Sequence, residues 1–302
     1  MLPQESRIPS GTRAYAKLEQ LQVTGSFKLR GATNKIMGLA PEAAAKGVIT
    51  SSTGNHGLGV AAAARYRGID AEVFLSFQVS EAKRNKIESY GARIRMLGDN
   101  PLEAEIAARG VAEESGRTYI SPYNDWYVVA GQATIAAELV RQIENIDAVF
   151  VATGGGGLIS GVGTYLREKC PLAEIVGCWP ENSRVLYECL RAGRIGEFPE
   201  SYTLSESTAG GVEPGSITFD LARAAMHRGV LVSEDAILDA MKWAREHNWT
   251  IEGSAGVALA ALFQEAAHYQ GRTVVVLFCG GNLSHEVESR MRKSGMRDTR
   301  PA

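Results

Sequence analysis

Short apolar runs rich in β-branched residues alternate with amphipathic stretches along almost the whole chain. Seven runs read as strands: Gly47–Ser51, Ala71–Ser76, Arg93–Leu97, Thr118–Ser121, Ala148–Thr153, Ile175–Trp179 and Thr273–Cys279. Between the runs, His56–Arg65, Glu81–Tyr90, Leu102–Ser115, Gly131–Ile143 and Leu158–Lys169 carry helical periodicity. Strand and helix in turn predict βαβ units and hence parallel sheets with helices on both faces. Ligands in such folds sit beyond the carboxyl ends of strands. Three of the predicted strands run there into polar or glycine-rich turns: Ser51–Asn55, Thr153–Gly157 and Cys279–Asn282.

Composition narrows the function classes. The 302 residues are 45% hydrophobic and 22% charged, with a formal net charge of −2. That balance offers no global field for nucleic acid or acidic membranes, and no polybasic run supplies a local one. No apolar run approaches the roughly 20 residues that span a bilayer. The start, Met1 to Pro9, lacks the apolar segment of a secretory signal. Cys170, Cys178, Cys189 and Cys279 form no CxxC pair, so a reducing cytoplasm is the expected setting. The 33 glycines matter because they cluster.

The run Gly154-Gly155-Gly156-Gly157 lies between a predicted strand and a predicted helix. Glycines let a backbone approach closely, and successive N–H groups ahead of a helix form an anion site. A tight turn required by helix–sheet packing is the plainer alternative, but four glycines exceed what packing needs. The run lacks the Gly-Lys-Ser/Thr ending of a nucleotide P-loop and a well-placed acidic ribose partner. In Gly25-Ser26-Phe27-Lys28-Leu29-Arg30-Gly31, Lys28 is either part of a solvated basic face or a desolvated amine suited to Schiff-base formation. Spacing alone leaves both open. Ser51-Ser52-Thr53-Gly54-Asn55-His56-Gly57 packs hydroxyls, an amide and an imidazole at a helix start. An N-cap accounts for one or two of these residues, whereas a carboxylate site uses the whole set. Cys279, before Gly280-Gly281-Asn282, is either a buried small hydrophobe or a thiol presented to a ligand.

Together these segments resemble the serine/threonine dehydratase and serine racemase family of pyridoxal-phosphate enzymes, which has the tryptophan synthase β-like fold. Pro122–Asp125, Ala130–Gln132 and Glu252–Gly256 are also similar, in matching order, so the resemblance covers nearly the whole chain. It implies an α/β protein of two three-layer, parallel-sheet domains: a larger one of residues 1–46 and 126–302, and a smaller inserted one of residues 47–125. It implies that Lys28 carries pyridoxal 5'-phosphate as a Schiff base and acts as the base at the substrate α-carbon. Phe27 is then expected beside the ring and Asn55 at its phenolic oxygen. Gly154, Gly155, Gly156 and Gly157 hold the phosphate, and Cys279 faces the pyridine nitrogen. Ser52, Thr53 and His56 bind the substrate carboxylate. A thiol, unlike a carboxylate, does not keep the pyridine protonated. The resulting weaker electron sink favours prompt loss of a β-substituent. The activity implied is elimination of water and ammonia from a small β-hydroxy amino acid to a 2-oxo acid, in a homodimer. Racemisation or β-replacement on the same cofactor is the alternative, and a non-catalytic phosphate-ligand binder is a third reading.

Several positions depart from the family pattern. Where relatives bind a divalent cation through an acidic pair, this chain carries Trp179 and Val185, with Glu181 nearby. Apolar residues offer no oxygen ligands, so no equivalent metal site is expected. Thr53 stands where racemases place the serine that serves as second acid/base, and its branched side chain leans away from racemisation. Leu58 replaces a frequent Gln. In Ser207–Gly215, Glu213 is either a contact for a polar or cationic substrate group or a solvated loop carboxylate. The core pattern runs out near Ala302, so an isoleucine-responsive regulatory domain is not expected, and the segment before Arg13 is shorter than the family's.

Overall fold

A computed structural model describes residues 1–3 and 7–293; the stretch after Lys293, on which the reading of the chain's end rests, lies outside them. The first elements are β1 (Arg13–Leu18), α1 (Lys28–Met37) and α2 (Pro41–Lys46). A contiguous βα series follows: β2 (Val48–Ser51), α3 (Asn55–Arg67), β3 (Ala71–Leu75), α4 (Glu81–Glu88), β4 (Arg93–Met96), α5 (Pro101–Ser115) and β5 (Thr118–Tyr119). Next come α6 (Trp126–Gln142), β6 (Ala148–Ala152), α7 (Gly157–Lys169), β7 (Glu174–Pro180), α8 (Val185–Ala192) and α9 (Ile217–Ala225). The chain continues through β8 (Arg228–Val232), α10 (Glu234–Glu246), α11 (Gly253–Glu265), β9 (Thr273–Phe278) and α12 (His285–Lys293).

The strands form two wholly parallel sheets, of order β1-β9-β6-β7-β8 and β4-β3-β2-β5. Alternating side chains in the smaller sheet serve opposite layers. Val48, Val73 and Leu75 enter the core beneath α1 and α3, while Ile49 and Phe74 meet Ala108 and Ala112 of α5. In the larger sheet β6 and β9 are buried at every position. Their runs of Val, Leu and Phe fill a core shared with α7 and α11. Helix starts follow local chemistry. Asn100 Oδ1 accepts from Glu103 N at 3.0 Å ahead of Pro101, and Asp125 Oδ1 accepts from Tyr127 N and Val128 N at 2.8 and 3.0 Å. The Asp125 cap starts α6 five residues before the predicted Gly131.

Two strands, β1 and β8, were not among the seven runs. Both are edges of the larger sheet. Arg13 and Lys17 interrupt the apolar pattern of β1, and Arg228-Gly229 opens β8 with no apolar side chain. An edge strand has one hydrogen-bonded neighbour and less to bury, so its sequence carries less apolar signal.

Strand order reverses between β6 and β9 in one sheet and between β2 and β5 in the other. Such reversals open a crevice at the carboxyl ends. Four loops line it: Gly154–Gly157 after β6, Cys279 after β9, Ser52–Gly54 after β2, and Pro122–Tyr123 after β5. Among the described residues no helix is long and apolar enough to cross a membrane.

Candidate active site

The crevice has an inner lobe of about 180 Å³ and an outer lobe of about 320 Å³, which share Lys28, Asn55, Pro122 and Ser207 in their walls. At one end of the inner lobe lies the glycine run. Gly156 precedes α7 with φ +88°, a conformation that favours glycine. A Cβ on Gly155 would stand 2.6 Å from the Tyr123 ring, and one on Gly157 2.8 Å from Tyr123 Cβ. The run has features of both readings. It packs tightly under Tyr123, and it leaves the first N–H groups of a 13-residue helix without intrahelical partners beside the lobe.

Lys28 is the first residue of α1. The segment before it is fastened to the end of β9: Ser26 bridges Gly280, Phe27 N donates to Cys279 O at 3.0 Å, and Gly281 N donates to Gly25 O at 2.9 Å. Lys28 Nζ donates to Pro122 O at 2.8 Å and stands 5.4 Å from the Phe27 ring centre. Burial lowers its pKa to about 8, against the opposing pull of Cys279 and Glu252. Cys279 itself is buried and its thiol is pushed up to about 12 by that burial. It is therefore uncharged when Lys28 titrates, which leaves burial and Glu252 as the opposing influences on the amine.

On the outer side, Ser52, Thr53, Asn55 and His56 line the crevice with Lys28. Gly54 N donates to Ser52 Oγ at 3.2 Å, and a Cβ on Gly57 would meet Ser52 O at 2.4 Å, so the turn into α3 is tightly wound. The imidazole of His56 is buried with Nε2 2.9 Å from Ile120 O. A carbonyl oxygen only accepts, so Nε2 carries the proton and Nδ1 holds a lone pair, without a protein partner. Burial, and then the charge of Lys28, lowers the imidazole pKa to about 3. The ring is neutral at physiological pH, and what His56 offers an anion is its backbone N–H at the start of α3. Leu58 supplies an apolar wall, and Lys83 and Lys86 of α4 stand at the mouth.

Other residues shape the site, and for Glu252 and Asn282 no role was read in the sequence. Glu252, 5% exposed, accepts from Asn55 Nδ2 at 2.9 Å, Ser207 Oγ at 2.7 Å and Ser254 Oγ at 2.6 Å. Asn282 Nδ2 holds Asn55 Oδ1 at 2.7 Å. Glu213 is engaged within the protein: Arg109 Nη2 and Asn124 Nδ2 reach its carboxylate at 2.7 and 2.9 Å, and its N–H donates to Tyr123 Oη. It is thus neither a free loop carboxylate nor part of either lobe's wall. Trp179 and Val185 are buried in the core of the larger sheet, with Trp179 tilted against Tyr187.

This donor set fits pyridoxal phosphate. A desolvated amine suits an aldehyde, the glycine cradle and helix start suit a phosphate, and Phe27, Asn55 and Cys279 bound the space between. The comparisons agree. A family model described as pyridoxal-phosphate dependent enzyme matches residues 3–280. The chain is 37% identical over 273 residues to the L-threonine dehydratase catabolic TdcB of Staphylococcus aureus, covering 89% of this chain and 79% of that protein. Among solved structures it is similar to processed threonine deaminase isoform 2 of Solanum lycopersicum, with TM-score 0.90, 31% identity and coverage of 95% and 84%. Maize serine racemase superposes with TM-score 0.86 at 31% identity, covering 94% of this chain and 88% of the other. With the matched model spanning nearly all of the sequence, and Lys28, the glycine run and Cys279 gathered in one crevice, this chain belongs to the family of pyridoxal-phosphate dependent enzymes.

Proposed function

We propose that the protein is an ammonia-lyase that converts a small L-β-hydroxy amino acid, threonine, serine or a close analogue, into a 2-oxo acid and ammonia. The observation that carries this reading is the position of Lys28. Its lowered amine lies where the phosphate cradle, Cys279 and the donor-rich start of α3 meet in one crevice.

When bound, pyridoxal phosphate supplies a carbonyl that links to amines and an electron sink for the substrate α-carbon. Gly154–Gly157 hold the phosphate through backbone N–H groups. Phe27 packs beside the ring, Asn55 fixes the phenolic edge, and Cys279 meets the pyridine nitrogen with a neutral thiol. Ser52, Thr53 and the N–H groups at the start of α3 bind the α-carboxylate. Lys28, poised near neutrality, takes the α-proton. Thr53 lines the lobe with Lys28 and is the residue on which any second proton transfer would fall.

We further infer a homodimer. Trp126, Tyr127 and Met37 are exposed apolar side chains on α6 and α1, where Tyr127 O accepts from Asn34 and Lys35 lies over the Tyr127 ring. The division at residues 47–125 follows the contiguous four-stranded sheet, and the four free thiols suit a reducing cytoplasm.

The test is the absorbance spectrum of the purified protein, repeated with L-threonine, L-serine and 3-hydroxyaspartate alongside a 2-oxo-acid assay. A cofactor band absent from Lys28→Ala, with 2-oxo acid from one of these substrates, is the expected result. Inverted amino acid without 2-oxo acid would transfer the assignment to a racemase. No band after the cofactor is supplied would overturn the reading.

A further inference from the structure

Outside the residues already given roles, one side chain gathers more of the site than any loop does. Glu252 immediately precedes α11 and sits beside the end of β9, with its carboxylate buried among donors. Asn55 Nδ2 reaches both oxygens at 3.0 and 2.9 Å, Ser207 and Ser254 hydroxyls lie at 2.7 and 2.6 Å, and Asn282 N lies at 3.2 Å. Its backbone N–H donates to Gly280 O at 2.9 Å. A Cβ on Gly280 would stand 2.6 Å from the carboxylate carbon, so the glycine after Cys279 is required by this side chain.

The hydrogen bonds leave the carboxylate along two arms. A carboxylate only accepts, so Ser254 spends its proton on Glu252 and its oxygen is left to accept. Cys279 Sγ lies 3.2 Å from that oxygen, so Ser254 fixes the place of the sulfur at the pyridine edge. The first arm therefore runs from Glu252 through Ser254, whose proton is committed to the acid, to the sulfur of Cys279. In the second arm Asn55 donates to Glu252 while Asn282 donates to Asn55 Oδ1, which fixes the orientation of the amide. Asn282 is itself held through Nδ2 to Thr24 O and through Oδ1 by Lys86 Nζ.

We infer that Glu252 is a positioning residue for the cofactor ring, setting the orientation of Asn55 at the phenolic edge and of Cys279 at the pyridine edge through Ser254. The inference rests on the cofactor assignment and on the places given above to Asn55 and Cys279. One buried negative charge thus governs both polar edges of the ring without touching it. Its own field also works on Lys28, whose amine Glu252 helps to keep protonated against the lowering effect of burial.

Glu252→Gln tests this. Glutamine keeps the size but replaces an acceptor oxygen with a donor, and it cannot accept from Asn55, Ser207 and Ser254 together. Holoenzyme and variant are compared by cofactor dissociation constant and by the position of the bound-cofactor band, with far-UV circular dichroism as the check on folding. The expected result is a dissociation constant raised about 10-fold or more, in line with lost hydrogen bonds to a buried charge, together with a displaced band. Ser254→Ala should displace the band in the same direction by a smaller amount, because only one arm is cut. Ser233→Ala, at the exposed cap of α10 and away from the crevice, should leave the band in place. If Glu252→Gln does not fold, the contrast between Ser254→Ala and Ser233→Ala decides. Equal behaviour of those two variants, or a Glu252→Gln protein with the parental band and affinity, overturns the inference. A parental protein without a cofactor band would instead sink the functional reading itself, before any variant is made.

Discussion

At the residue scale, two bases of the crevice are tuned in the same direction for different ends. Lys28 and His56 both lose proton affinity to burial, the amine to about 8 and the imidazole to about 3. For Lys28 this places the reactive neutral amine within reach of ordinary pH. Cofactor uptake by the apoprotein should accelerate as pH rises, with a midpoint near 8 instead of the 10.5 of a free lysine. Stopped-flow absorbance across pH 6.5–10 checks this, and a midpoint above 10 would contradict the assigned environment. For His56 the consequence is stability. The unfolded chain binds its proton near 6.5 while the folded one resists it down to about 3. The advantage is complete above pH 6.5 and drains away as pH falls toward 3. Between pH 7 and pH 5 this one group should cost about 2 kcal/mol of folding stability. His56→Asn should lose correspondingly less over that interval, measured by denaturant unfolding of both proteins at the two pH values.

At the element scale, the helices around the site are held by specific contacts, and two of these invite direct tests. Gly155 and Gly157 lie against Tyr123 so closely that a single methyl has no room. Gly155→Ala should weaken cofactor binding by about 10-fold or more, since a packed core takes up an added carbon only by moving backbone. Combining it with Tyr123→Ala should recover part of the loss in a titration of the apoprotein. The second contact is Arg30 on α1, which forms a fork with Glu19 at 2.7 and 2.8 Å and another with Glu138 of α6 at 2.7 and 2.9 Å. Hydrogen bonds from Arg30 and Lys17 lower the Glu138 carboxyl to about 2, so Glu138 stays charged at any ordinary pH. Arg30→Ala strands Glu19, which is 1% exposed, and should destabilise the fold by about 3–5 kcal/mol, seen as a lowered unfolding midpoint. Much of this scale was legible in the sequence. The strands buried on both faces announce themselves as apolar runs, and the glycine run, the lysine segment and the Ser51–Gly57 turn are each contiguous. Glu252 was not, because its meaning comes from Asn55, 197 positions away, and from Ser207 and Asn282, which converge on it only in the folded chain. Edge strands β1 and β8 escaped for the opposite reason: they bury too little to leave a pattern.

At the scale of the whole molecule, the two sheets face the crevice with their carboxyl ends, α1 shares an apolar core with the four-stranded sheet, and a few polar contacts cross the crevice. Arg109 of α5 meets Glu213, Lys86 of α4 meets Asn282, and Tyr90 Oη donates to Val23 O at 2.7 Å. The Arg109–Glu213 pair is partly solvated, so each charge contributes modestly. Its place above Tyr123, whose hydroxyl accepts from Glu213 N, gives it more reach than its strength implies. Arg109→Ala should raise KM about 2- to 5-fold with a smaller change in kcat, the range expected for loss of one such pair. Steady-state kinetics on the best substrate measures it, and an unchanged KM would remove the pair from any part in holding the crevice shut.

The fastening of the Lys28 segment to the end of β9 has a consequence for how the protein is made. Residues 48–119 form their sheet from neighbours in sequence, and a ribosome can release that unit while the remainder is still being translated. The other sheet has no such freedom. Among the described residues β1 pairs only with β9, and β6 is flanked by β9 as well, so the strand that joins the first edge to the rest of the sheet arrives last. The amine is synthesised early but waits for more than two hundred further residues before its clamp exists. A nascent chain is therefore blind to its cofactor until translation has passed Asn282, and capture of the cofactor reports that synthesis has gone that far.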